Sequence, residues 1–197
     1  MISIASIVEG DGEVSALPIL LRRLASEREP AALVNLLQPI RVRRDKFLNK
    51  DDEFRRQLLL AAAKSGRDGW VLIVLDADDD CPASLGREIH QRAQQHIPHQ
   101  RLSVVLANRE FEAWFIAAAP SLHGARGFSL APEEKILAES PRNAKGWMRE
   151  HMQSGTYSEI LDQPAFSARI DLQQAFDNSR SFRKLCKEWQ THVAGRG

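Results

Sequence analysis

The chain has 197 residues, 43% apolar and 27% charged, which suits one globular core with room for a small appendage. Its formal net charge of +1 excludes a wholesale polyanion binder, so any nucleic-acid surface has to be a local patch. Its two cysteines, Cys81 and Cys186, lie far apart without CxxC or Cys/His spacing, which excludes a zinc-finger or disulfide framework and suits a reducing cytoplasm.

The opening "MISIASIVEGDGE" has no basic segment and turns acidic at once, which argues against a signal peptide and for a cytoplasmic location. No apolar run approaches the ~20 residues of a membrane span, so no membrane association is expected. Residues 2–8, "ISIASIV", are short and β-branched and predict a buried strand. Residues 13–27 have helical periodicity, with Leu17, Leu20, Leu21 and Leu24 on one face and Pro18 in the first turns. Residues 32–42 predict a second strand with a break near Pro39. Residues 52–66 predict a helix ended by Gly66. The segment 70–76, "WVLIVLD", is the clearest buried strand. A helix over 83–97, a strand over 101–107 and a helix over 109–119, closed by Pro120, follow.

This alternation predicts an α/β fold with a mainly parallel sheet flanked by helices. After Pro120 the strand signal stops. Helical stretches near 132–153, 156–162 and 170–192 predict a C-terminal helical region. The expected organisation is an α/β domain over 1–120, with a helical extension over 121–197 packed on it as one unit.

In a parallel α/β sheet the C-terminal strand ends form one rim, where ligands sit. The first strand ends in "VEGDGE", bringing Glu9, two glycines and Glu13. The third ends in "LDADDD", bringing Asp76, Asp78, Asp79 and Asp80. The fourth ends in "LANREFE", bringing Arg109, Glu110 and Glu112. Crowded carboxylates repel and take up protons unless arginines or cations compensate them. Hard divalent ions such as Mg²⁺ prefer such oxygen donors. The glycines allow a tight turn and leave room for a phosphate near the helix N-terminus. Glu9 and Glu13 are four residues apart, and Asp76 and Asp78, on an extended segment, project the same way. Taken singly, each acidic residue is equally well a turn former, a cap or a surface group; Asp79 and Asp80 ahead of "CPASLG" fit that role. Three acidic strand ends in one sheet favour a metal site.

An EF-hand loop fails on spacing, because Cys81 and Arg87 stand where its Gly and Glu belong, counting from Asp76. A phosphatase of the haloacid-dehalogenase type also sets Asp-x-Asp after an apolar strand, with Asp76 as nucleophile and Asp78 as general acid. It leaves Glu9 and Glu13 without a task, and it remains the rival enzyme class.

The pattern "IVEGDGE" followed by "VLIVLDADDD" resembles a Toprim domain, a Rossmann-like fold with a glutamate after its first strand and a DxD after a later one. More closely, "IVEGDGEVSALPILLRRL", "VLDADDDCP", "REFEAWFIAA" and "SRSFRKL" resemble the DUF4276 family of small Toprim-like proteins, over nearly the whole chain. The resemblance implies a magnesium- or manganese-dependent nuclease related to the overcoming-lysogenization-defect type, with two metal ions. Carried over by position, Glu9, Glu13, Asp76 and Asp78 form the first metal site. Glu110 is the second-site candidate, with Glu112 in reserve and Asp80 a further possible ligand. A catalytic lysine is implied, and Lys145 in "RNAKGW" is the choice over Arg142 or Lys184. One ion would activate a water and the other stabilise the leaving oxygen, with the pair ~3.5–4 Å apart. Glu9 is also open to a general acid or base role. The single tyrosine, Tyr157, lies in the helical tail, which speaks against a covalent topoisomerase intermediate.

Residues 41–67 hold nine basic and four acidic residues, so Arg41, Arg43, Arg44 and Lys46 are candidate nucleic-acid contacts. Arg109 joins them or neutralises a rim carboxylate. Phe47 or Trp147 is a candidate base-stacking residue. A second basic cluster is "SRSFRKLCKEW" over 179–189. The four tryptophans read as core residues. The resemblance further implies phage defence alongside an ABC- or AAA-type ATPase, with homo-oligomerisation open. A non-catalytic regulatory or assembly subunit is the alternative outside enzymes.

Overall fold

The structure is a computed structural model that describes residues 1–194. Five parallel strands make one sheet in the order β2-β1-β4-β5, with β3 also paired to β1. The strands are β1 (Ile2–Val8), β2 (Val34–Leu36), β3 (Ile40–Arg41), β4 (Trp70–Asp76) and β5 (Arg101–Ala107). The helices between them are α1 (Asp11–Arg28), α2 (Arg44–Asn49), α3 (Asp51–Ser65) and α4 (Pro82–His96). After β5 come α5 (Ala113–Ala117), α6 (Ala144–Glu150), α7 (Glu159–Ser167), α8 (Leu172–Asn178) and α9 (Arg180–Val193).

The period-2 alternation of the strands sorts their side chains into two cores. Ile4 and Val8 of β1, Leu72 and Val74 of β4 and Val105 of β5 face α1, α5 and the C-terminal helices. Ala5, Ile7, Val71, Ile73, Leu75, Val104 and Leu106 face α2, α3 and α4. The expected parallel sheet flanked by helices is therefore present. Residues on both sides of Pro120, such as Leu20 and Phe182, share one apolar cluster. No helix among the described residues is long and apolar enough to cross a membrane.

Several boundaries differ from the sequence expectation. Pro39, which has no amide hydrogen, splits 32–42 into two short strands, and both pair with β1, at Ile2–Val34 and at Ile7–Ile40. The short α2 between them and α3 is not expected from the sequence. Its one buried residue, Phe47, lies 4.7 Å from Phe54 across the α2–α3 corner. Phe47 is fully enclosed, so it is a core residue and not a base-stacking one.

The stretch 109–119 opens as a turn, with Arg109 at φ 69°, and becomes helical only at Ala113. The expected helix over 132–153 shrinks to Ala144–Glu150. Pro141 disfavours helix in its predecessor, and Asn143 Oδ1 caps α6 by accepting from Gly146 N at 2.7 Å. The stretch over 156–162 begins its helix only at Glu159, capped by Ser158, and runs on to Ser167. Ser179 divides 170–192 into two helices and caps the second, its Oγ accepting from Phe182 N at 3.2 Å.

Candidate active site

The C-terminal ends of β1, β4 and β5 meet on one rim, and the start of α7 and α6 close over it. Between β1 and α1 lies the Glu9–Gly10 turn. Glu13, in the first turn of α1, folds back so that its Oε2 accepts from Glu9 N at 3.1 Å. Gly10 has an ordinary extended backbone, φ −90°, so left-handed freedom is not why glycine stands there. Gly12 has a packing reason: a Cβ at that position would collide with the Gln163 side chain and the Glu159 carbonyl of α7. The glycine loop therefore admits a neighbouring helix, where the sequence suggested room for a phosphate.

Asp76 ends β4 and is buried, and its Oδ1 accepts from Phe111 N at 2.8 Å. Burial first, then the negative charges of Glu13 and Glu112, push its carboxyl well above the usual range, with Lys145 opposing. Burial likewise pushes Glu13 up to about 7, against the backbone hydrogen bonds from Glu9 and Gly10. Glu9 is half-buried and raised by burial and by Asp78. Glu112 is wholly enclosed. Its Oε1 accepts from Tyr157 OH at 3.0 Å and Gln163 Nε2 at 2.7 Å, while burial raises its pKa. The second oxygens of Glu9 and Glu112, Oε2 in each, are buried with no hydrogen-bond partner among the described residues.

Lys145, at the start of α6, faces this group. Its Nζ lies 3.3 Å from Glu159 Oε2 and 4.0 Å from Glu110 Oε1, and its backbone N donates to Glu110 Oε2 at 2.9 Å. Burial opposes its charge, but Glu112, Asp76, Glu159 and Glu110 outweigh that and hold the ammonium above its ordinary value. Glu9, Glu13, Asp76, Arg41, Lys145 and Glu159 line an open cleft of about 470 Å³.

The outer aspartates behave differently. Arg44 donates from Nε to the Asp76 carbonyl at 3.1 Å, and its guanidinium pairs with Asp78 at 3.3 Å and Asp80 at 2.7 Å. Asp78 is exposed and has φ 50°. The strand ends at Asp76, so alternation no longer applies and Asp76 and Asp78 do not project alike, contrary to the sequence expectation. Asp78 still sits close enough to Glu9 to raise its pKa. Asp79 accepts from Arg142 at 2.9 and 2.5 Å and from Arg109 at 2.7 Å; Arg142 first, then Arg109, holds its carboxyl below the usual range. Asp80 is tied to Arg44 in an ion pair.

Of the basic residues expected at a nucleic-acid surface, Arg44 and Arg109 clamp the aspartate loop. Arg41 pairs with Asp11 at 2.9 Å and lines the cleft, while Arg43, just ahead of α2, and Lys46, on it, are exposed. Lys184 lies on α9, paired with Glu188 at 2.9 Å, and is not among the cleft-lining residues. Trp147 stacks on His151 with centroids 3.7 Å apart, while Trp70, Trp114 and Trp189 are core residues.

Glu159, Gln163 and the partnership of Tyr157 with Glu112 have no motif in the sequence that marks them. "YSEIL" carries a helix-capping serine, which marks the start of α7 but not its docking on α1. That docking depends on contacts more than a hundred residues apart and leaves no local signal.

The donors fit a hard divalent cation: all are carboxylates, two carry unpartnered buried oxygens, and several have pKa values raised by burial first and by one another's charge second. Glu9, Glu13 and Asp76, with Asp78 at the edge, are the residues that could hold one. Glu110, in contact with Lys145, and the enclosed Glu112, whose charge acts on Asp76 and Glu13, are the residues that remain for a second. As the side chains stand, no group of three His, Cys, Asp or Glu among the described residues is arranged as a formed metal site.

No curated protein and no solved structure matches the chain. The family model for DUF4276, described as a domain of unknown function, matches residues 8–189, and the chain belongs to that family.

Proposed function

We propose that the protein is a Toprim-like, Mg²⁺- or Mn²⁺-dependent nuclease that hydrolyses phosphodiester bonds of DNA or RNA in the cytoplasm, in phage defence beside an ABC- or AAA-type ATPase. The observation that carries this reading is the convergence of Asp76, Glu13 and Glu9 at one cleft with Glu112 enclosed behind them, three of the four nearly or wholly buried and all with raised pKa. A fold retains such a costly group of charges where a cation or a reaction uses it. The defence setting and the ATPase rest on the family resemblance alone.

A divalent ion at Glu9, Glu13 and Asp76 would lower the pKa of a water and so supply the nucleophile. The chain's own residues do the rest. Phe111 N fixes one oxygen of Asp76, and Glu9 N fixes one of Glu13, so both carboxylates are orientated before any ligand arrives. Tyr157 and Gln163 do the same for Glu112. Lys145 keeps its proton and offers a fixed positive charge for phosphoryl oxygens. Were Glu13 and Asp76 to hold the ion without it, Glu9, half-buried with a raised pKa, would instead serve as general acid or base through its unpartnered Oε2.

The test is incubation of plasmid and of RNA with Mg²⁺ or Mn²⁺, comparing the wild type with Asp76→Ala and Glu9→Ala. Metal-dependent cutting that both variants lose supports the reading. Phosphate released from a small ester without nucleic-acid cutting would move the assignment to the phosphatase. Cation binding without either activity, even with the co-encoded ATPase present, would leave a regulatory subunit.

A further inference from the structure

The cluster "SRSFRKLCKEW" lies on α9. Phe182, Leu185, Trp189 and Val193 turn one face of this helix into the core. Arg180, Arg183, Lys184 and Lys187, spaced i, i+3, i+4 and i+7, share the opposite face. That face borders a groove between α9 and α4. Three hollows of about 240, 470 and 390 Å³ adjoin at Lys184: the first and third lie between α9 and the start of α4, and the second lies along the basic face of α9 itself, lined by Arg180, Arg183, Lys184 and Lys187 with Glu188. Leu106 and Val104 of β5 lie in the floor of the groove, and Arg87 of α4 stands on the far wall. β5 has a strand partner on one side only, so no strand among the described residues fills the space.

Two acidic residues line the groove, and both are engaged within the fold. Glu139 Oε1 accepts from Arg180 N at 2.8 Å and Ser181 N at 3.4 Å. Glu188 accepts from Ser103 Oγ at 2.6 Å and Lys184 Nζ at 2.9 Å. The groove reaches Asn108, where the turn that carries Glu110 and Glu112 leaves β5. Ser181 Oγ accepts from Asn108 N at 3.3 Å and Trp114 Nε1 at 2.9 Å, and Glu110 and Glu112 lie in the turn between those two residues.

We propose that this groove is a phosphate track that guides a nucleic-acid strand to the carboxylate cleft. The inference takes its ligand class from the nuclease reading and adds where that ligand lies. At ~1.5 Å rise per residue, Arg180 to Lys187 spans about 10 Å. That is the reach of about three phosphates at ~3.4 Å per strand. A regular row of cations on one helix face matches a regularly repeating anion better than a protein surface of scattered charge.

Binding is measured by fluorescence anisotropy with a labelled oligonucleotide of roughly 20 nucleotides, in EDTA so that cutting does not intervene. The expected result for Lys184→Glu/Lys187→Glu is binding weakened about tenfold or more and a log–log salt slope lower by about 2. A control of equal charge on α3 and the loop after it, Arg55→Glu/Arg67→Glu, should change affinity less than about twofold. Where the double variant fails to fold, Lys187→Gln alone should lower the salt slope by about 1. Cys81 gives an independent readout. It is exposed in the groove wall while Cys186 is buried, so oligonucleotide should slow alkylation of Cys81. Unchanged affinity in the α9 variants, or alkylation of Cys81 unaffected by saturating oligonucleotide, would overturn the track. Binding that maps to α9 without any metal-dependent cutting would instead overturn the nuclease and leave the track standing.

Discussion

Asp76 Oδ1 accepts a hydrogen bond of 2.8 Å from the backbone N–H of Phe111, which joins the end of β4 to the turn after β5. One oxygen of the carboxylate is thereby fixed by the fold, and the residue lines the cleft with Glu9 and Glu13. The aspartate is a designed part of the rim, held in place before any ligand binds. The outer aspartates have different partners: Asp78 and Asp80 bind Arg44, and Asp79 binds Arg109 and Arg142.

The first prediction concerns pH. Glu13 rises from an ordinary 4.5 to about 7 in the fold, so between those values the native state holds a proton that the unfolded chain has lost. Its contribution to stability is full below the unfolded value and is lost as pH rises through about 7. In EDTA, the wild type should lose stability across that window. Glu13→Gln, which cannot ionise, should flatten the loss by up to about 3 kcal/mol. Urea titrations at about pH 4 and pH 8 check this. An identical pH profile for the two proteins would contradict it.

Gly12→Ala should destabilise by about 1–3 kcal/mol, because the added methyl meets Gln163 and the Glu159 carbonyl on α7. Since α7 also carries Glu159 into the cleft, cation affinity should fall with it. Thermal unfolding measures the first and a Mn²⁺ titration the second.

Tyr157→Phe removes a donor from the enclosed Glu112 and should cost about 1–3 kcal/mol. Chemical denaturation tests this in EDTA, where no cation can compensate the carboxylate. A variant as stable as the wild type would show that Tyr157 does not support Glu112.

Arg44→Ala should cost about 1–2 kcal/mol, since its pairs with Asp78 and Asp80 are partly solvent-screened while its bond to the Asp76 carbonyl is less so. Amide exchange of residues 77–80 should accelerate in this variant and stay unchanged in Arg43→Ala.

Strands and rim were legible in the sequence because they depend on local signals. Continuous β-branched runs such as "WVLIVLD" have few alternatives, and a parallel sheet then brings Glu9, Asp76 and Glu112 to one edge. The resemblance implies a lysine without fixing which one; Lys145, the choice for it, lies against Glu110 and Glu159 in the fold. What stayed hidden depends on long-range packing or on arginine geometry. The basic run 41–46 looked like a phosphate surface, but Arg44 is committed to the aspartate loop and Phe47 to the core. The divergence of Asp78 from Asp76 follows from one left-handed backbone position, which alternation cannot foresee. Glu159, Tyr157 and Gln163 reach the site only because α7 docks on α1 across Gly12.

The central claim is that the crowded carboxylates form a cation site, and calorimetric titration of Mn²⁺ into the metal-free protein at about pH 7.5 tests it most directly. The account predicts saturable binding with proton release in the wild type, because Glu13 and Asp76 carry raised pKa values, and loss of that binding in Asp76→Asn. No saturable heat in the wild type, or equal binding in Asp76→Asn, would contradict it.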